Sequence, residues 1–313
     1  MRTVRSRVAV WCLAVIAVYA LPNAQAGEEA PKAKTVEQAY PLLVDGALMN
    51  ARLVELPPGV LLRSGDMEIR ADEIQQFVED KPDYLRDELV GNRVFILEQI
   101  GTVKLLTQLA RAELTKAGQS TAGMTDDELI REYIDSVTKD VKVTDEEVRK
   151  FYEANASLLC GAAFDDVKKA ISYRLLEEKK QETVWHTILA LGDKLTVEVS
   201  ESWVRENAPS ALDNPVSRAR RSGKPTLAVF SGASCCGPDK ARPIVDSVRK
   251  KYGEKINVVY VEARTSQVLT ARHRVEAIPT FILYDGKGKE TPRRDGLLAL
   301  DEIAAMLRQV GIE

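Results

Sequence analysis

Residues 230–243 read Phe230-Ser-Gly-Ala-Ser-Cys-Cys-Gly-Pro-Asp-Lys-Ala-Arg-Pro243, and the fold assignment turns on them. The apolar run from Thr226 to Phe230 predicts a strand that empties into small residues, two adjacent cysteines and a helical segment. That order puts a thiol at a helix N-terminus, where free backbone N–H groups and the macrodipole stabilise a thiolate. Farther along, Ala277-Ile-Pro-Thr280 leads into a second apolar strand, Phe281–Tyr284, and an Asp285-Gly286 turn. Between and around them the pattern alternates. A helix near Cys236–Tyr252, a strand at Ile256–Val261, a helix at Ser266–His273 and a last helix at Leu300–Val310 predict an α/β domain over 206–313.

Cysteines after a first strand and Ile-Pro-Thr before a later one resemble the thioredoxin family. The resemblance implies a thioredoxin-like fold, a cis Pro279 whose neighbours Ile278 and Thr280 line a substrate groove, and thiol–disulfide exchange through Cys235 and Cys236. Against the family's Cys-Gly-Pro-Cys, the ungapped register gives Cys235-Cys236-Gly237-Pro238, with proline where the resolving thiol belongs. A one-residue shift gives Cys236-Gly237-Pro238-Asp239. Neither register has a cysteine three residues after the nucleophile. Val229 stands in place of the family's buried strand acid, and Ser234 in place of the preceding tryptophan. Three chemistries stay open: a monothiol cycle at Cys235, a strained Cys235–Cys236 disulfide, and resolution by an auxiliary thiol, Cys160.

Upstream the periodicity is helical. Val60–Ile69 predicts two short strands around a Ser64-Gly65-Asp66 turn, and apolar positions from Leu85 to Leu109 recur at helical spacing, interrupted by Gly91 and Gly101. Thr125-Asp-Asp-Glu128 and Thr144-Asp-Glu-Glu147 are capping boxes that open two further helices. A long amphipathic helix follows from Phe164. Val143–Asn155, Arg63–Ile74 and Phe164–Ile171 resemble segments of SurA-like folding factors of the parvulin group. Too few residues separate the last two helices to admit an isomerase domain, so the resemblance implies a helical chaperone module over 60–205 and no prolyl isomerase activity. The expected architecture is a mostly α N-terminal domain followed by an α/β thioredoxin-like C-terminal domain.

The first residues carry Arg2, Arg5 and Arg7, an apolar run from Val8 to Leu21 and Ala24-Gln-Ala26. This is the pattern of a signal peptide over 1–26, cut after Ala26, and it predicts export, to a periplasm or its equivalent, with no membrane span in the mature chain. Residues 27–59, polar and punctuated by proline, read as a linker. The chain of 313 residues carries a formal charge of −3. Removing three arginines and no acids with the signal makes it −6, which argues against nucleic-acid binding. With two histidines, in different domains, and no glycine-rich phosphate loop, neither metal nor cofactor is expected. An adjacent thiol pair could suit copper(I). The expected partners are client polypeptides, and the resemblance admits a homodimer. A rival reading has the thioredoxin-like domain only bind, in a non-enzymatic chaperone or assembly factor.

Overall fold

The chain's structure is a computed structural model that describes residues 33–154, 162–233 and 239–313. In chain order the elements are α1 (Val36–Ala39), β1 (Arg52–Val54), β2 (Val60–Ser64), β3 (Met67–Arg70), α2 (Ala71–Glu79), α3 (Asp83–Gly91), α4 (Arg93–Lys116), α5 (Asp126–Thr138), α6 (Asp145–Ala154), α7 (Phe164–Leu189) and α8 (Leu191–Lys194). They continue as β4 (Glu198–Ser200), α9 (Glu201–Leu212), α10 (Pro215–Arg220), β5 (Thr226–Ser231), α11 (Ala241–Tyr252), β6 (Asn257–Glu262), α12 (Gln267–Arg272), β7 (Thr280–Tyr284), β8 (Glu290–Asp295) and α13 (Leu300–Arg308).

The N-terminal region is helical around a small sheet of order β1-β4-β2-β3, in which β1 runs parallel to β4 and the other neighbours are antiparallel. Both capping boxes form. The Thr125 N–H donates to Glu128 Oε2 at 2.8 Å and the Thr144 N–H to Glu147 Oε2 at 2.8 Å, while each threonine hydroxyl accepts the returning glutamate N–H. Of the two glycines that interrupt the helical pattern, Gly91 ends α3, whereas α4 runs through Gly101. There a Cβ would lie 3.1 Å from Leu62 Cδ1, so the bare glycine lets α4 sit directly on β2.

The stretch expected to be a linker is corrected by its burial. Val36, Leu43, Val44, Ala47, Leu48, Ala51 and Leu53 all belong to the core of the helical region. The Val36 N–H donates to Ala51 O, and Leu53 N–H to Lys34 O, so the chain folds back on itself before β1. Spaced prolines and acids disguise apolar positions whose burial supplies the driving force. The end of the helical region also shifts. α9 buries Val204, Ala208, Ala211 and Leu212 in that same core, which carries it past residue 205.

The C-terminal sheet has order β6-β5-β7-β8, with β6 parallel to β5 and β7 and β8 antiparallel. β5 and β7 are buried throughout, as expected for central strands covered on both faces. Leu227, Val229 and Phe281 pack beneath α11 and α13, and Ala228, Phe230 and Ile282 pack on the other side with Val216 of α10 and Leu269 of α12. The sequence pattern missed β8. Glu290-Thr-Pro-Arg-Arg-Asp295 has no apolar alternation, and its proline is tolerated because β8 is an edge strand.

Residues 33–313 form one compact unit, and buried polar contacts join its two regions. The Arg220 guanidinium, 3% exposed, donates from both terminal nitrogens to the Asp45 carboxylate at 2.9 Å. Arg272 donates to the carbonyls of Leu43 and Ala211. Glu88 of α3 accepts the Leu269 N–H at 2.9 Å and thereby caps the first turn of α12, whose own N-cap residue makes no side-chain bond. Arg274 stacks over the Trp185 ring of α7 at 3.7 Å.

Candidate functional site

Cys160, Cys235 and Cys236 lie outside the described residues, so the site is read from the groups that frame the 234–238 segment. β5 delivers Ser231, Gly232 and Ala233 to its near end, and Asp239 stands two residues before α11. Asp239 is a hydrogen-bond hub. Its Oδ1 accepts from the Ser231 hydroxyl at 2.7 Å and the Ala241 N–H at 2.9 Å, and its Oδ2 accepts from the Tyr260 hydroxyl at 2.6 Å. Burial pushes the Asp239 carboxyl up, but the bonds from Tyr260, Ser231 and Ala241 outweigh it and leave the group below the usual carboxylate range. Tyr260 moves the other way. Burial first, and then the Asp239 carboxylate, hold its hydroxyl above the ordinary range for a phenol.

A second carboxylate completes the cluster. Glu262 Oε2 lies 3.2 Å from the Tyr260 hydroxyl, and the Arg242 guanidinium covers the Tyr260 ring at 4.1 Å. Tyr260 and Glu262 share one face of β6 by the two-residue period of a strand. Gly232 leaves the room they need. A Cβ there would fall 2.1 Å from Glu262 Oε1, so the carboxylate occupies the place of the missing side chain.

Opposite this cluster is the loop before β7. The Ile278–Pro279 peptide is cis, as the resemblance implies, and Ile278 is 42% exposed. Pro279 O accepts the Gly296 N–H at 2.8 Å, which brings the exposed Leu297 close to the loop. Thr280 is fully buried. Its Oγ1 sits 2.6 Å from Ala277 O and 2.7 Å from Asp295 Oδ1, so its side chain braces the loop and does not face solvent. Of the residues expected at a substrate surface, Ile278 is the exposed one.

Val229, at the family's strand-acid position, is sealed in the core beneath α11. His273 is also buried. Its Nδ1 lies 3.0 Å from the Tyr284 hydroxyl, and burial holds the ring neutral with a pKa of about 3. It is a core residue. His186 is exposed on α7 beside Glu182. Among the described residues, no group of three or more His, Cys, Asp or Glu side chains could hold a metal ion. No helix among them is long and apolar enough to cross a membrane.

The comparisons with known proteins fall on this region. The family described as a thioredoxin-like domain matches residues 212–311. A thioredoxin-like protein of Synechocystis is 30% identical over 88 residues, which make up 28% of this chain and 78% of that protein. The chain belongs to the thioredoxin-like family. This thioredoxin-like chain also matches chloroplast Thioredoxin Y of Oryza sativa subsp. japonica, at 36% identity over 84 residues, and chloroplast Thioredoxin X of Arabidopsis thaliana, at 34% over 79 residues. It covers 49% and 43% of those two, so it spans about half the length of the chloroplast relatives. Among solved structures, a Nicotiana alata thioredoxin is 25% identical with a TM-score of 0.27, covering 30% of this chain and 79% of that one. A thioredoxin of Entamoeba histolytica is 22% identical with a TM-score of 0.26, covering 29% and 87%.

The Asp239–Tyr260–Glu262 cluster is what reading the thioredoxin-like motif alone missed. Two signals pointed to it: an acid immediately after Gly237-Pro238, and an aromatic and an acid two apart at the end of β6.

Proposed function

We propose that this is an exported thioredoxin-like protein that exchanges thiols and disulfides with folding or partner polypeptides, Cys235 being the attacking thiol and Cys236 its auxiliary. The observation that carries this reading is the hydrogen-bonded carboxylate cluster at the foot of the cysteine segment. A strand acid is lacking where the family has one, yet Asp239 and Glu262 supply carboxylates at the same end of the sheet. Membership of a family whose relatives are named thioredoxins supports the same chemistry.

The Cys235 thiolate attacks one sulfur of a client disulfide. A new S–S bond forms as the client's bond breaks, and the client's other sulfur leaves as a thiolate that takes up a proton. A second thiol then attacks the Cys235 sulfur, and the client's sulfur leaves as a thiolate that takes up a proton. This releases the client reduced by two electrons and leaves the attacking pair oxidised by two. That thiol is Cys236, Cys160 or a thiol of another protein. In this reading Glu262 takes the proton that a thiol gives up on becoming nucleophilic. The exposed Ile278 and Leu297 offer an apolar surface to the client chain.

The helical region, by its SurA-like pattern, would hold the client, and residues 1–26 would direct export. The test compares exchange rates on a disulfide-bonded protein substrate between the wild type and the double variant Cys235→Ser, Cys236→Ser. Unchanged rates would end the redox reading. The sealed Val229 favours a second reading, in which the domain only binds. It predicts that suppression of client aggregation survives the double substitution and that the wild type shows no exchange.

A further inference from the structure

Between the helical region and the loop that carries cis Pro279 stands one short helix, α12. Its six residues are too few to hold a helix on their own in water, so its order is that of its anchors. Those anchors come from both regions. Val268 is buried in the core of the helical region, whereas Leu269, next in sequence, is buried with Phe230 and Ile282 of the thioredoxin-like sheet. Half-buried Glu88 of α3 accepts the Leu269 N–H at 2.9 Å, one of the first-turn donors that a helix cannot satisfy by itself. At the other end the Arg272 guanidinium donates to the carbonyls of Leu43 and Ala211.

The chain leaves α12 through Arg274, whose φ is 53°. A residue other than glycine keeps that left-handed conformation only where its surroundings impose it. Here, too, both regions contribute. From the sheet, Arg293 donates to the carbonyls of His273 and Arg274, and Glu290 pairs with the Arg274 guanidinium at 3.3 Å. From the helical region, the Trp185 ring of α7 stacks on that same guanidinium at 3.7 Å. Glu276, Ala277 and Ile278 follow as three consecutive exposed residues. Beyond them the Thr280 hydroxyl donates to Ala277 O at 2.6 Å. The loop is thus slung between a threonine of β7 and a corner that the helical region helps to fix.

We propose that Glu88 and Trp185 are positioning residues for the client chain: acting through α12 and Arg274, they set where Ile278 and Pro279 meet it. Neither takes part in the exchange itself. The proposal rests on the reading of the Ile278–Pro279 loop as part of the client surface. It makes the affinity of that surface depend on how α3 and α7 bear on α12 and Arg274. By linkage, a client held there also steadies α12 against Glu88. The opposing view is that Arg293 and Thr280 fix the loop unaided, and it predicts that nothing done to α3 or α7 reaches the client.

The experiment measures amide hydrogen exchange and disulfide-exchange kinetics on the whole mature chain. Glu88→Ala removes the acceptor, Glu88→Gln keeps one, and Trp185→Leu uncovers Arg274 while retaining an apolar side chain. Thr125→Ala takes a comparable cap from α5 and leaves the bonds to α12 in place. Glu88→Ala and Trp185→Leu should speed amide exchange across residues 269–275, where bonded N–H groups report on α12, and leave β5 as protected as before. Glu88→Ala should also raise KM for a disulfide-bonded protein substrate, by up to about tenfold if the full worth of one hydrogen bond to a charged group goes into holding the loop. Trp185→Leu should act in the same direction by less. In both, kcat and the pH midpoint of cysteine alkylation should stay at wild-type values, and Glu88→Gln should recover most of the loss. Wild-type amide exchange and KM in both variants would overturn the proposal, as would equal loosening by Thr125→Ala or a fall in kcat at constant KM. If the wild type exchanges no disulfides, the redox reading fails by itself, and the amide measurement alone decides whether the helical region holds α12.

Discussion

Glu98 sets the pH dependence of the junction between the helical and thioredoxin-like regions. Its side chain, 7% exposed on α4, accepts the Gly46 N–H at 3.0 Å, in the loop whose Asp45 holds Arg220. Burial pushes its carboxyl from 4.5 up to about 7. Nearby Asp45 adds to the rise, while the Leu48 and Gly46 N–H groups and Arg272 oppose it. A carboxyl raised on folding contributes stability that is present below pH 4.5 and lost as pH climbs through about 7. Each pH unit of that gap is worth about 1.4 kcal/mol, so the loss comes to roughly 3 kcal/mol by pH 8. Glu98→Gln keeps an oxygen for the Gly46 N–H and cannot ionise. The variant should match the wild type below about pH 4.5 and exceed it by roughly 3 kcal/mol at pH 8, a melting difference of about 5 °C. His273, with a pKa of about 3, stays neutral across this window and cannot imitate the effect. Urea unfolding of both chains from about pH 4.5 to 8.5 is the assay. A gap that does not change with pH, or a glutamine chain less stable at pH 8, would refute the reasoning.

Further outcomes are expected. Asp45→Asn strips the counter-charge from Arg220, buried to 3% exposure, and should cost about 3 kcal/mol or more in denaturant unfolding; a loss under about 1 kcal/mol would mean that the pair is not a structural tie. Gly232→Ala should leave the melting temperature nearly unchanged, because only the end of the Glu262 side chain must move, yet shift the pH profile of disulfide exchange; an unaltered profile would remove Glu262 from the chemistry. Asp239→Asn takes a negative charge from beside the cysteine segment, so half-maximal alkylation of its thiols should move to lower pH; an unchanged or higher midpoint would count against electrostatic contact.

The sequence made the α/β half legible because its central strands are continuous apolar runs, and burial on both faces demands such runs. β8 was invisible because an edge strand of charged residues has no apolar period to detect. The capping boxes were legible as purely local chemistry. By contrast, Val36 to Leu53 looked like a linker, since each of its apolar residues is buried by elements distant in sequence. The motif likewise pointed to Cys235, Cys236 and Pro279. Asp239, Tyr260 and Glu262 meet only when β6 pairs alongside β5, so the two local signals in the sequence could not show that they join.

The double clasp of Arg220 and Arg272 bears on how this protein can be rearranged. A thioredoxin-like segment that begins near residue 212 looks, in sequence, like a cassette that could be cut out or fused elsewhere. Cut there, Arg220 would lose Asp45, Arg272 would lose both its carbonyl acceptors, and α12 would lose the Glu88 cap. Two guanidiniums fitted to a neighbour's surface would then face water on an apolar flank. The boundary that the sequence offers for swapping is a seam that the side chains have sewn shut, and recombination that respects it must carry residues 43–48 and Glu88 along.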